Sequence, residues 1–419
     1  MSTAASPSTS VEQILPTPGR VNLREALRRL SAAPAAAPFS DETMDFVTEL
    51  ARALSRRGRG LPETEALAFW MRRSEMSRLR DAYAQLQTDR VLLVPRGTVF
   101  HIPPANVDTL FVYSWLLATV VGNRNVVRLS SRATDQSNLI LGLLRGLLPD
   151  HPTVASTTLM VTYGHDAALT DALSGAADVR VVWGGDGTVA AVRRSPLPPH
   201  ATELTFPDRF SLAAVGVAAY GALAPQQRDR LAQHFYNDAY WFDQLGCSSA
   251  RLVVWVGAAA DAADASADFF RRVRAVVDTK GYAVEAATAV AKQVQAYGSM
   301  IDLPVTGYST LGNEVTVLPV DAFPQVRGQF CGGGLFYSFQ ADSLLDLAPH
   351  MERRDQTLAW FGFAPDELRR LAVALNGRGL DRIVPFGTAL AFDRIWDGHD
   401  LLQAFSRRVV VDATPPALG

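Results

Sequence analysis

The sequence predicts an α/β protein: a parallel sheet in its first half and a second α/β region behind it. Three observations predict this. From Val91 to about residue 193, short apolar runs alternate with segments of helical length, the signature of strands joined by crossover helices that cover both faces of a sheet. Glycine-rich turns follow several of those runs, "WGGDGT" (183–188) most clearly. After "FSLAAVGVAAYG" (210–221) the alternation begins again. A chain of 419 residues, 48% hydrophobic, is long enough for two cores.

The elements follow in order. Residues 1–40 are rich in Ser, Ala, Thr and Pro and end near "SAAPAAAP" (31–38), a composition that predicts a disordered segment. Helical periodicity covers 41–57 and 63–88, the second with alternating charges over an apolar face. "VLLVPRGTVFHIPPAN" (91–106) reads as strand, turn and strand. Helices are expected at 108–121, 134–147, 166–174 and 187–193, and strands at 125–130, 157–163 and 179–185. In the second region, helices are expected at 226–236, 261–278 and 284–295, with strands at 251–257 and after the turn in "CGGGLFYSFQ" (331–340). Residues 41–210 are therefore expected to form one domain and 211–380 another, with 381–419 closing the fold.

Composition excludes several functions. The net charge of −2 argues against nucleic-acid binding, which needs concentrated positive charge. Two cysteines form no disulfide framework and no CxxC spacing, which predicts a reducing, cytoplasmic setting. The start "MSTAASPSTSVEQ" lacks the pattern of a secretory signal. The most apolar stretch, 107–122, is shorter than the roughly 20 residues of a membrane span and reads as a buried helix. His101, His165 and His399 make no metal constellation, and HExxH, G-x-S-x-G and Walker A patterns are absent.

In a parallel sheet, ligands bind beyond the carboxyl ends of the strands. Three such ends are "PPAN" (103–106), "RLSSR" (128–132) and "WGGDGT". Asn106 is either a turn residue after two prolines or an amide donor for a developing oxyanion. Gly185-x-Gly187-x-x-Ala190 loosely matches a dinucleotide fingerprint, although many strand-to-helix turns need glycines. Arg128 and Arg132, with Ser130 and Ser131, make either a cofactor-binding turn or a solvated basic one. In "DQLGCSSAR" (243–251), Cys247 sits among Gly246, Ser248, Ser249 and Ala250. Small neighbours leave room for a substrate, and a thiolate is a far stronger nucleophile than serine near neutral pH. Cys331 precedes three glycines, so a tight turn accounts for its setting.

The order of "PPAN", "GNRNVVRLSS", "WGGDGT" and "DQLGCSSAR" resembles the aldehyde dehydrogenase superfamily. Segments 100–132, "PDRFS" (207–211), "RRDQTLAWFGF" (353–363) and 379–402 narrow the resemblance to acyl-CoA reductases of the LuxC type, from about residue 90 onward. That resemblance implies an aldehyde-dehydrogenase-like fold, with a Rossmann-like cofactor domain and a second α/β catalytic domain. It implies reduction of an acyl thioester, acyl-CoA with a fatty acyl group foremost, to an aldehyde through an acyl-cysteine. Cys247 would be the nucleophile and Asn106 the oxyanion amide, with the Cys247 N–H as its partner. Gly184, Gly185, Gly187 and Thr188 would lie near a pyrophosphate, with Ser130 and Ser131 beside the cofactor. Arg128 stands where dehydrogenases keep a lysine, and its fork suits a 2′-phosphate, which favours NADPH. An acyl-protein synthetase or acyl carrier protein as partner, and a homo-oligomer, are implied as well.

Two departures matter. The water-activating glutamate of hydrolytic dehydrogenases has no clear counterpart in "ATELTFPDRFS" (201–211), where Glu203 is near only in sequence. "FCGGGLF" (330–336) replaces the motif whose glutamate holds the nicotinamide ribose, which would put Cys331 near the cofactor. An oxidative NAD(P)-dependent aldehyde dehydrogenase, a non-redox cysteine acyltransferase and an inactive scaffold are the competing readings.

Overall fold

Val11, Gln13 and Leu15 point inward along a strand near the start of the chain, alternating with exposed or half-buried neighbours. The computed structural model describes residues 10–104, 107, 109–132, 134–328 and 330–413. The described part of the segment expected to be disordered is therefore folded: β1 (Ser10–Leu15), β2 (Gly19–Asn22) and α1 (Leu23–Ala32). Its polar composition hid a six-residue alternating strand and a helix that buries only Leu23, Ala26 and Leu30. Residues 1–9 lie outside the described residues.

The chain divides into two units, residues 1–207 with 392–419, and residues 208–391. In the first, α2 (Asp41–Arg57) matches its expected bounds. The helix expected at 63–88 is two, α3 (Pro62–Trp70) and α4 (Arg73–Gln85). Arg72 is extended, and the break lets Trp70, Met71, Met76 and Leu79 all reach one core. β3 (Val91–Pro95) and β4 (Thr98–Ile102) follow. They then alternate with helices as α5 (Leu110–Val120), β5 (Arg124–Leu129), α6 (Asp135–Leu147), α7 (Pro152–Ser156), β6 (Thr158–Thr162), α8 (Ala167–Gly175), β7 (Val179–Trp183), α9 (Asp186–Val192) and β8 (Thr202–Phe206). The seven-stranded sheet runs β2-β1-β6-β5-β4-β7-β8, with β4 to β8 parallel. Separate apolar clusters cover its two faces, as a parallel sheet requires. α5 is buried from Phe111 through Val120, which explains the most apolar stretch of the sequence.

The second unit holds β9 (Phe210–Gly216), α10 (Val217–Gly221), α11 (Pro225–Ala239), β10 (Ala250–Val256), α12 (Ala259–Lys280), α13 (Ala286–Asp302), β11 (Ser309–Leu311), β12 (Val315–Val320), β13 (Leu335–Ala341), β14 (Asp355–Phe361), α14 (Pro365–Leu375) and β15 (Arg382–Pro385). Its sheet runs β11-β12-β13-β10-β9-β14-β15 and is parallel apart from β11. β9, buried at every position, lies inside the sheet between β10 and β14. Apolar clusters again cover both faces.

The C-terminal segment is not one piece. Residues 381–391 belong to the second unit, whereas 392–413 return to the first. There lie a short hairpin, β16 (Ile395–Trp396) and β17 (His399–Asp400), then α15 (Leu401–Ala404) and β18 (Ser406–Val410). β18 pairs antiparallel with β3, so β3 and β4, although adjacent in sequence, do not form a hairpin. Leu401, Leu402 and Phe405 fill the core of the first unit, and the Asn123 side chain donates to the Phe405 carbonyl at 2.9 Å. Burial of these apolar side chains ties the chain's end to that unit.

Candidate active site

In the second unit, α11 leads through Tyr240 into a tight turn, Trp241–Gln244. Phe242, Asp243 and Gln244 have φ of 61, 52 and 62°. Three consecutive non-glycine residues in the left-handed region are costly, about 1–2 kcal/mol each, and persist only if neighbours enforce them. Gln244, 2% exposed, is the enforcer. Its Nε2 donates to the carbonyls of Ala250 (3.0 Å) and Leu335 (2.9 Å). Its Oε1 accepts from the N–H groups of Gly334 (3.0 Å) and Leu335 (3.1 Å).

Cys247 follows, exposed, just before the amino end of β10. Its carbonyl accepts from Ser211 Oγ at 2.6 Å, and Ser211 Oγ accepts in turn from the Thr357 N–H at 3.2 Å. Ser248 Oγ donates to Gln356 Oε1 at 2.9 Å. Thus the starts of β9 and β14, within "PDRFS" and "RRDQTLAWFGF", brace the cysteine segment. The surrounding loops cluster at the amino ends of β10, β13 and β14, the edge opposite to the one where parallel sheets usually bind ligands.

The glycines of "CGGGLF" are required where they stand. Gly334 has φ +78°, and a Cβ there would lie 1.9 Å from the Glu314 carbonyl oxygen. The Gly333 N–H donates to the Asp243 carbonyl at 3.0 Å. Lys292 Nζ donates to the carbonyls of Gly333, at 2.9 Å, and Asn313. Cys331 therefore sits on a turn fastened to the Cys247 loop. Burial pushes its thiol up to about 11, against the opposing pull of Lys292 and Arg251.

Arg251 ends the cysteine motif and is 4% exposed. Its guanidinium lies over the Phe330 ring, 3.6 Å from the centroid, and Nη1 donates to the Arg209 carbonyl at 3.3 Å. Its Nε has no hydrogen-bond partner among the described residues. Reading the sequence residue by residue missed both Gln244 and Arg251. The only sequence signal was polar residues flanking a cysteine inside an otherwise small-residue run.

In the first unit, the strand order places β5 and β7 on opposite sides of β4. The direction of winding reverses there, and the crevice beyond such strand ends is the usual nucleotide site. Pro103 and Pro104 lie at the end of β4, and Gly184, Gly185, Gly187 and Thr188 at the turn from β7 into α9. A Cβ on Gly184 would lie 3.1 Å from Thr188 Cβ, so close packing of that turn already accounts for one glycine. Asn106 lies outside the described residues.

A cavity of about 520 Å³ opens at the ends of β4, β5 and β6, within the usual range for a cofactor or small-molecule site. Ser130, Ser131, Arg132 and Arg145 line it with donors, and Glu12 supplies a carboxylate. Two guanidinium groups and two hydroxyls fit the phosphates and ribose hydroxyls of a nicotinamide dinucleotide. Arg128 is not among the lining residues. It donates to the Gly164 carbonyl at 3.2 Å, and its guanidinium lies 4.7 Å from the centroid of the Tyr163 ring. The structure thus brings Ser130 and Ser131 together with Arg132 rather than with Arg128.

Two further residues have structural roles. His101 is fully buried between Ser114 Oγ (2.8 Å) and Asn125 Oδ1 (3.0 Å), and burial draws its pKa down to about 4. Glu203 pairs with Arg180 at 2.5 Å and Arg193 at 2.7 Å. Among the described residues no three His, Cys, Asp or Glu side chains are grouped to hold a metal, and no helix is long and apolar enough to cross a membrane.

Comparison with known proteins agrees with this architecture. The fold is that of the aldehyde dehydrogenases. Aldehyde dehydrogenase 21 from Physcomitrella patens superposes with a TM-score of 0.66 at 12% identity, covering 93% of this chain and 90% of that one. A 1-pyrroline-5-carboxylate dehydrogenase from Thermus with bound NAD gives 0.65 at 12% identity, covering 92% and 83%. The long-chain acyl-protein thioester reductase of Aliivibrio fischeri is 28% identical over 165 residues, 39% of this chain and 33% of that protein. That of Photorhabdus laumondii is 23% identical over 327 residues, 75% and 63%. The chain thus spans from a third to just under two thirds of the length of these curated relatives. Residues 75–408 match the acyl-CoA reductase (LuxC) family, and the chain belongs to that family.

Proposed function

We propose that the protein reduces an acyl thioester to an aldehyde through an acyl group held on Cys247. The observation that carries this reading is the exposed Cys247 on a braced loop of small residues, in a chain of the acyl-CoA reductase family. The Cys247 sulfur attacks the thioester carbon. A new C–S bond forms, the carrier thiolate leaves, and a thioester on the protein remains. One thioester replaces another, so no external energy source is needed at this step. Asn106 and the Cys247 N–H steady the oxyanion of the tetrahedral intermediate. The loop keeps Cys247 in place through Ser211, Gln244 and Gln356 while the acyl group changes hands.

A nicotinamide cofactor, when bound, supplies the hydride that turns the acyl group into an aldehyde. Ser130, Ser131, Arg132 and Arg145, which line the 520 Å³ cavity, would hold its ribose and phosphates. The arginines, with Arg128 nearby in sequence, favour NADPH. The acyl donor is a fatty acyl-CoA or an acyl-protein thioester, delivered by a carrier protein or an acyl-protein synthetase. The enzyme works in the cytoplasm as a homo-oligomer. Against an oxidative dehydrogenase stands Glu203, which two arginines engage and which is therefore poorly suited to activate water.

The test is a panel of acyl-CoAs with NADPH, with aldehyde trapped and identified and acyl-protein weighed by mass spectrometry. The native chain is expected to carry the acyl group on Cys247, and Cys247→Ala to lose both labelling and NADPH oxidation. Full turnover by Cys247→Ala, or an acyl group on that variant, would sink the assignment.

A further inference from the structure

Arg251 is a buried cation with no close ion pair among the described residues. Among the described residues no carboxylate pairs with it, and its Nε is unbonded. Leaving a charge in such a place is costly, and replacing it with an apolar residue of similar volume is often neutral or stabilising. The Phe330 ring and the Arg209 carbonyl hold the side chain, and neither neutralises its charge.

The backbone explains how the side chain is aimed. β10 pairs Ala250 with Ser211 and Leu252 with Leu212, so Arg251 is the extra residue of a bulge. Bulges re-aim a side chain, frequently beside a reaction centre. Here the guanidinium lies over the ring of Phe330, the neighbour of Cys331, beside the glycine turn that is fastened to the Cys247 loop. Cys247 is four residues before it in the chain.

We propose that Arg251 is the positioning residue whose fixed positive charge favours the ionised sulfur of Cys247, and thereafter the oxyanion that forms on the attacked acyl carbon. The proposal rests on the acyl-cysteine reading above. The thiol proton passes to solvent water, which the exposed Cys247 meets directly, so no carboxylate base is required.

Other ionisable groups face the same place. Burial draws the Arg251 guanidinium down to about 10, while the sulfurs of Cys247 and Cys331 and the Asp208 carboxylate act in the opposite sense. Lys292, from α13, faces Cys331. Asp243 lies on the cysteine loop, where its carbonyl binds Gly333. Arg209 and Arg353 both pair with Asp381. Arg251 is thus the buried cation that acts on both sulfurs.

The test reads Cys247 directly. In a Cys331→Ser background, so that one thiol remains, the rate of iodoacetamide alkylation is followed by mass spectrometry from pH 5 to pH 10. Arg251→Met is expected to move the midpoint of the pH profile up by about one unit or more. At a fixed pH below both midpoints, alkylation should then fall about tenfold or more. Arg251→Lys, which keeps the charge, should restore most of the reactivity. If Arg251→Met does not fold, Arg251→Gln keeps a donor towards the Arg209 carbonyl and carries the same expectation. An unchanged midpoint in either folded neutral variant overturns the proposal. Acyl labelling of Cys247 is scored separately, so a chain that alkylates with the expected profile but is never acylated refutes the functional reading instead.

Discussion

Gln244 and Leu335 exchange two hydrogen bonds, 2.9 Å from the Gln244 amide to the Leu335 carbonyl and 3.1 Å from the Leu335 N–H back to Gln244. One side chain thereby locks the loop before Cys247 to the first residue of β13. It also holds the left-handed turn of Phe242, Asp243 and Gln244.

Gln244→Ala removes that lock. Four buried backbone groups, the Gly334 and Leu335 N–H and the Ala250 and Leu335 carbonyls, lose a partner, at a cost of about 1–3 kcal/mol for each that stays unsatisfied. Turnover should fall further than stability, because the left-handed turn is then unsupported. Urea denaturation and steady-state rates on one preparation check this, and an unchanged rate would separate the lock from the chemistry.

Asn106→Ala is expected to reduce turnover roughly 10²-fold or more, with little change in stability, if its amide serves the oxyanion. Single-turnover acylation of Cys247 is the measurement. A variant that acylates at the native rate leaves Asn106 as a turn residue.

Cofactor preference distinguishes the arginines. If Arg128 takes a 2′-phosphate, Arg128→Ala lowers the NADPH-to-NADH ratio of kcat/KM. Arg132 lines the 520 Å³ cavity and Arg128 does not, so the same measurement on Arg132→Ala shows which guanidinium reads the phosphate. A ratio unmoved by Arg128→Ala removes that residue from cofactor selection.

His101 makes stability depend on acid. Its pKa falls from 6.5 to about 4 on burial, so between those values the unfolded chain binds a proton that the native chain does not. Stability therefore declines as pH falls through about 6.5 and the loss levels off near pH 4, amounting to about 3 kcal/mol. Denaturation midpoints at pH 7, 6 and 5 should show the decline. His101→Gln should flatten it, and an equal slope in that variant would refute the assignment.

By itself, the sequence determined the parallel sheet of the first unit. Apolar runs such as "NVVRL" and "VRVVW" could only be strands buried on both faces, and the helices between them had matching lengths. It also determined that Cys247 was unusual, because a cysteine among glycine and serines has no packing reason to be there. β8, β12, β14 and α14 escaped notice. β8, "TELTF", alternates polar and apolar residues at a sheet edge, and the other three lie outside the clear alternation of the first half.

The tertiary structure alone decided the long-range pairings. β18 returns to β3 across most of the chain, and β1 joins the sheet beside β6. It decided that Ser211, Gln244 and Gln356 converge on one loop, and that Arg251 is buried with no close ion pair among the described residues. Sequence periodicity reports which face of an element is buried, whereas hydrogen-bond partners and a bulge depend on which strands end up side by side. "DQLGCSSAR" singled out its cysteine, but only the folded chain showed what its glutamine and its arginine touch.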